Sequence, residues 1–268
     1  MQKLGWVEGR NLQIAYRYAS GQSDRLSAVI DEAINDKPNL IIVSGSAAVA
    51  ALRATNFSAP ALAVTSDGWR GSLARPEGNL SGISLQFEDV AAKWAELLVL
   101  AFPHVRRIAI VVDTSPSNQR QFEVAAGAVT SMQRVATHYP IESPTTLALQ
   151  VKRAKEDGAD ALIFASSPIF TANAEGIVDA VRNVKLPAIF ESRVIVQRGG
   201  LMSYGANLNE VFRRLAWYAD KVLRGTKPTD LPVEQPTSFE LAINMRAARD
   251  IGASIPDVVL ARAQEVLE

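Results

Sequence analysis

Residues 101–116, AFPHVRRIAIVVDTSP, decide how this chain is read. Pro103 cannot continue a helix, so the amphipathic run Glu88 to Phe102 stops here. Arg107 to Val112 then gives an almost unbroken apolar run. Such runs mark strands covered on both faces, as in parallel sheets. The strand ends in Asp113-Thr114-Ser115-Pro116, and a helix from Ser117 to Val129 follows. Working outward, the same alternation recurs. Upstream lie strands at Leu12 to Tyr18, Leu40 to Val43, Ala61 to Val64 and Leu80 to Leu85. Between them fall helices at Ser23 to Asp36, with Ser23 as N-cap, and Ala47 to Ala54. Downstream lie strands at Val135 to Tyr139, Ala161 to Ala165, Pro187 to Phe190 and Leu201 to Tyr204. Helices at Thr146 to Asp157 and Ile169 to Asn183 separate them. Strand then helix, repeated this often, predicts α/β architecture with parallel sheets. A (β/α)₈ barrel competes with two doubly wound sheets. The break at Ala101 to His104, with the Arg107 strand restarting the series, favours two sheets.

The chain has 268 residues, room for two domains of about 100–150 residues each. It is 48% apolar and 21% charged, an ordinary composition for a globular protein. Its 28 basic residues balance 28 acidic ones, which argues against nucleic acid or anionic membrane as partners. No apolar run reaches the ~20 residues that span a bilayer. Cysteine is absent, which removes disulfides, thiolate nucleophiles and cysteine metal sites and fits an oxidising compartment. The opening MQKLGWVEGRN lacks the pattern of a secretory signal and reads as the end of a helix and a loop.

Open parallel sheets bind ligands beyond the carboxyl ends of their strands. The loops there carry Ser44, Gly45 and Ser46, then Ser66 and Asp67, Ser115, Ser166 and Ser167, Glu191, and Tyr204. Hydroxyls and free N–H groups at helix N-termini suit a carboxylate or another small anion. Asp67 and Glu191 suit an ammonium group. The set fits an amino acid or similar polar metabolite. Helix capping is the competing reading for each serine, and a hinge salt bridge the competing reading for Glu191. Tyr204 reads equally as a wall for a flat ligand and as a packing tyrosine. Trp69 falls at a surface loop, Trp6, Trp94 and Trp217 on core stretches, and Asp113 before a helix it can cap. Catalytic and metal signals are poor. His104 and His138 have no ligand partner at useful spacing, and no P-loop, nucleophile elbow or dinucleotide fingerprint occurs. No catalytic residue, metal or cofactor is expected.

Gly199 to Ile255 orders a short strand, a Tyr-Gly turn, a long amphipathic helix, a Pro-rich connector, a second strand and a short helix. That order suits a chain crossing between two lobes and back, as in a hinge. Together with LGWVEGRNLQIAYRYASGQSDRL near the start and ARPEGNLSGIS at Ala74 to Ser84, this segment resembles the ABC-transporter substrate-binding protein family. That family includes tryptophan-binding, TrpX-like members. The resemblance spans nearly all of the chain. It implies the periplasmic-binding-protein type I fold, with two doubly wound parallel-sheet lobes joined by crossover strands and a ligand cleft between them. It implies an N-lobe of 1–85 plus 205–230 and a C-lobe of 86–204 plus 231–268. It also implies delivery of a small solute to an ABC permease and its ATPase, without catalysis. In such proteins LGWVEGRN follows a first strand and helix and a signal peptide, so those elements are expected upstream. The expected location is then the periplasm, or a lipid-anchored extracytoplasmic site. A ligand-sensing domain of a signalling system, or a hydrolase on the same scaffold, are the alternatives.

Overall fold

A computed structural model describes residues 1–20, 22–66, 68–85 and 87–268. The chain divides into two units, Met1–Gln86 with Ala206–Ser238, and Phe87–Gly205 with Phe239–Glu268. It therefore passes from one unit to the other three times.

The first stretch runs α1 (Leu26–Asn35), β1 (Ile41–Ser44), α2 (Ser46–Arg53), β2 (Ala61–Thr65), the short strands β3 (Gly71–Ser72) and β4 (Arg75–Pro76), and β5 (Leu80–Ser84). The long middle stretch runs α3 (Phe87–Ala101), β6 (Arg107–Asp113), α4 (Pro116–Ser131), β7 (Val135–Ile141), α5 (Leu147–Glu156), β8 (Ala161–Phe164), α6 (Pro168–Ala172), α7 (Ala174–Val184), β9 (Ala188–Phe190), α8 (Arg193–Gln197) and β10 (Met202–Ala206). Next come α9 (Leu208–Leu223), β11 (Phe239–Asn244), α10 (Met245–Asp250), α11 (Asp257–Leu260) and β12 (Glu265–Leu267).

The second unit is built on a seven-stranded sheet of order β12-β11-β10-β9-β8-β6-β7. Strand β6 explains its own apolar run. It pairs in parallel with β7 on one edge and β8 on the other. Ile108, Ile110 and Val112 face a cluster containing Trp94 and Leu98 of α3 and Val129 of α4. Ala109 and Val111 face the opposite cluster, with Val151 of α5 and Ile177 of α7. Helices cover both faces, so every position from 108 to 112 must be apolar, and each large side chain contributes roughly 1.5–3 kcal/mol on burial. The run expected as one helix from Ile169 to Asn183 is two. Asn173 leaves helical geometry, and its side-chain amide donates to the Ile169 carbonyl.

The first unit carries a three-stranded parallel sheet, β1-β2-β5. Ile41, Val43 and Ala61 pack against Ile30 of α1 and Val49 and Leu52 of α2. Helix α9 contacts β2 and β5. Gly82 pairs with Ala63 at φ +143°, and a Cβ there would lie 2.0 Å from the Ala63 carbonyl oxygen, so only glycine fits. Residues 231–238, expected in the second lobe, belong to this unit. The Glu234 N–H donates to the Gly82 carbonyl, the Ser84 N–H donates to the Glu234 carbonyl, and the buried Ser81 hydroxyl donates to the Leu231 carbonyl. Arg214 of α9 grips the Glu234 carboxylate with two bonds of 2.6 Å.

Leu12 to Tyr18 forms no strand, contrary to its alternating pattern. Ile14, Tyr16 and Tyr18 are 38%, 62% and 70% exposed. Alternation marks strand potential, but a strand needs a neighbour, and the pairing described for this segment is a single bridge from Leu12 to Glu8. Arg17 instead pairs with Glu32 and Asp36 at the end of α1. The N-cap position of α1 falls at Arg25, at the end of a 3-10 turn from Ser23 to Arg25.

Candidate ligand-binding site

Strands β10, β9, β8 and β6 are neighbours in the larger sheet. Their carboxyl ends therefore set Tyr204 and Gly205, Glu191, Ser166 and Asp113 side by side. The loop after β6 is knitted by side chains. Asp113 takes the Ser115 N–H on one carboxylate oxygen at 2.8 Å and the Ser167 hydroxyl on the other at 2.6 Å. Ser115 caps α4 by accepting the Asn118 N–H, so the cap falls to Ser115 and not to Asp113. Ser167 caps α6 and Ser192 caps α8. For Ser115, Ser167 and Ser192 the structure thus shows the capping role that strand-end serines often take.

Two residues that the sequence did not single out organise this edge. Asn118 and Gln121 are buried on the sheet-facing side of α4, only 2% and 1% exposed. Asn118 Oδ1 accepts the Asp113 N–H, and its Nδ2 donates to the Ser166 carbonyl at 2.8 Å. Gln121 Oε1 accepts the Ser166 N–H at 2.8 Å. Composition alone places such amides at the surface. The available signal is their spacing, i and i+3 at the start of a helix that leaves a buried strand.

Glu191 follows β9 and is only partly exposed. Burial pushes its carboxyl up from the ordinary 4.5 to about 7, and a hydrogen bond from Ser166 holds it back from rising further. Among the described residues no basic side chain forms an ion pair with it. Arg193, two positions on, pairs instead with Glu240 and Glu265. The salt-bridge alternative for Glu191 is therefore not what the structure shows. Gly205 lies against Glu191. A Cβ at position 205 would sit 2.3 Å from the Glu191 carbonyl oxygen and 3.1 Å from its Oε1. The neighbouring Tyr204 stacks on Phe239, with ring centroids 6.0 Å apart, and its carbonyl accepts the Trp94 indole N–H. Its ring is thus packed, while part of its surface stays exposed.

The carboxyl edge of the first unit is made of hydroxyls. Ser46 Oγ lies 3.0 Å from Thr65 Oγ1 and 3.3 Å from Ser66 Oγ. Gly45 turns the chain at φ 92° and leaves α2 without a side-chain cap. Ser44 is exposed at the end of β1. Hydroxyls beside an uncapped helix N-terminus suit an anionic group. Asp67 lies outside the described residues. Trp69 packs against the first unit's core and is not a bare surface residue. Trp94 is fully buried, whereas Trp6 and Trp217 are half-buried. Trp6 donates to Asp220, and Trp217 lies under the Arg214 guanidinium. Among the described residues no group of His, Cys, Asp and Glu could hold a metal ion. His138 packs on Phe122, and burial lowers its pKa.

Two α/β units built on parallel strands give the class of the molecule, the periplasmic-binding-protein type I fold. A family model described as ABC transporter substrate binding protein matches residues 1–267, and the chain belongs to that family. A Streptococcus pneumonia ABC domain in complex with L-Trp is similar at a TM-score of 0.83 and 21% identity, covering 92% of this chain and 87% of that one. A conserved domain protein from Vibrio cholerae gives a TM-score of 0.88 at 21% identity, covering 99% and 90%. A substrate-binding protein with adhesive properties from Clostridium difficile, in a ligand-free, open structure, gives 0.67 at 19%, covering 99% and 90%. No curated protein matches the chain. Membership implies a small ligand, a permease and ATPase as partners, a non-enzymatic role in transport, and an extracytoplasmic location. No described helix is long and apolar enough to cross a membrane.

Proposed function

We propose that this protein captures a small solute bearing an ammonium group, of the amino-acid class, and presents it to an ABC permease. Glu191 carries the reading. It is an acid whose burial makes ionisation costly, and among the described residues no basic side chain pairs with it. A bound ammonium would supply that missing charge and draw the carboxyl back to its ionised form. Ser166 follows the adjacent strand β8 and is its proposed hydrogen-bonding neighbour. Ser44, Gly45, Ser46 and Ser66 of the first unit, and Ser115, Ser167 and Tyr204 of the second, are the further proposed contacts. The three chain crossings act as the hinge for closure over the solute. A tryptophan-like ligand is the first to try, because a similar protein binds L-Trp. The proposed location is the periplasm or a lipid-anchored extracytoplasmic surface.

The test is a thermal-shift and calorimetric screen of L-amino acids beside their des-amino acids. An amine at a hundredfold excess over its Kd stabilises the chain by about 2.7 kcal/mol, and its des-amino counterpart does not. Glu191→Gln removes that difference. Equal shifts from amine and des-amino compounds, or no shift from any amine, overturn the proposal.

A further inference from the structure

We propose that Asn118 and Gln121 are positioning residues that fix Ser166 so that its hydroxyl serves the Glu191 carboxyl. The observation is a clamp. Gln121 accepts the Ser166 N–H, and Asn118 donates to the Ser166 carbonyl, each at 2.8 Å. Both polar groups of one residue's backbone are thus held by side chains of a single helix, and neither bond belongs to the sheet. Strand β8 ends at Phe164, so without the clamp the chain at Ser166 has no ladder to hold it. The clamp is itself anchored. Asn118 also accepts the Asp113 N–H, and the Gln121 amide nitrogen reaches the Ser117 hydroxyl. Both amides are buried, and a buried amide with unmet bonding capacity is costly, so the arrangement has little freedom to shift.

With its backbone fixed, Ser166 has one free torsion of consequence, and it follows β8 just as Glu191 follows β9, the adjacent parallel strand. Two charged residues described near this edge are otherwise engaged. Asp113 bonds Ser115 and Ser167, and Arg193 bonds Glu240 and Glu265. Ser166 is therefore the lever by which α4 reaches the acid. The inference rests on Glu191 as the ligand-contacting acid, yet it is measurable without any ligand.

The experiment is a carbon-13 NMR pH titration of the unliganded full chain with labelled glutamate, Glu191 being assigned by Glu191→Gln. Ser166→Ala removes a hydrogen bond to the ionised form and raises the Glu191 midpoint by about one pH unit. Gln121→Met keeps the shape but loses the acceptor, and gives a rise of similar size. The double variant rises no further than Ser166→Ala alone, because Gln121 acts through Ser166. Gln121→Leu serves if the methionine variant does not fold, and thermal unfolding checks each. An unmoved Glu191 midpoint in a folded Gln121 variant, or shifts that add in the double variant, overturn the positioning role. If the titrations follow the clamp while no amine binds, the ligand reading alone falls.

Discussion

The two carboxyl edges are held by different means. In the second unit, side-chain amides and carboxylates reach from α4 and β6 into the next strand's loop, and Glu191 is left as a half-buried acid with no ion-pair partner among the described residues. In the first unit, the hydroxyls of Ser46, Thr65 and Ser66 meet one another, and stability comes from close backbone approach at Gly82 and from residues 231–238 pairing with β5. Similar strand–helix architecture thus leaves one edge strongly prearranged and the other soft. Prearrangement lowers the ordering cost of binding, so under the proposed function the second unit is where chemical selectivity belongs.

The largest test compares two glycines. Gly82→Ala forces a Cβ to 2.0 Å from a carbonyl oxygen at an unfavourable φ, and should cost about 4 kcal/mol or prevent folding. Gly205→Ala meets the Glu191 carbonyl oxygen at 2.3 Å without that φ and should cost about 3 kcal/mol. Urea unfolding gives the totals. Limited proteolysis should cut first in the unit that carries the change, and simultaneous cutting of both would break the comparison.

The next test sets two glutamates against each other. Glu191 is raised in the folded state, so it destabilises the ionised fold. Stability from this group falls as pH rises from about 4.5, the ordinary value, through about 7. The difference corresponds to about 3 kcal/mol at pH 8, which Glu191→Gln should recover in the unliganded chain. Glu234 has the opposite sign. Hydrogen bonding to Arg214 lowers its pKa, so its stabilisation is present above the ordinary carboxylate range and is lost as pH falls through its folded value. Chemical denaturation from about pH 2 to 9 reads both slopes, and parallel slopes in the two variants would erase the distinction.

A smaller effect separates the serines. Ser167→Ala removes a cap and leaves one Asp113 oxygen without its donor, at about 2 kcal/mol. Ser46→Ala, in the softer cluster, should cost under about 1 kcal/mol. Glu234→Gln itself is comparably small. The ion pair is partly exposed, 43% at Arg214 and 35% at Glu234, so at neutral pH the loss should stay near 1 kcal/mol and shrink in salt.

What the sequence disclosed follows from how local each signal is. Strand β6 and the strand Phe239–Asn244 are legible because burial on both faces leaves an apolar run. Glu191 and Ser166 are legible because parallel strands put their polar ends at one edge. Leu12 to Tyr18 misled because alternation records what a segment could pair with, not whether a partner is there. The split at Asn173 depended on where one amide turned. Asn118 and Gln121 were invisible as site residues because only the packed sheet shows that two amides on a helix face inward, and the placement of residues 231–238 rested on bonds to a strand far back in the chain.

That last feature has a consequence for synthesis. The buried Ser81 hydroxyl finds its acceptor, Leu231, 150 residues later. At about 5–20 residues per second, some 8–30 s separate the two on the ribosome. The part of the chain made first is therefore the part finished late, and most of the second unit emerges in the interval. A nascent chain arrested before Leu231 should hold a protease-resistant core from the middle of the sequence and an open beginning. Any factor that guards the chain during export would then find its work at the N-terminal end.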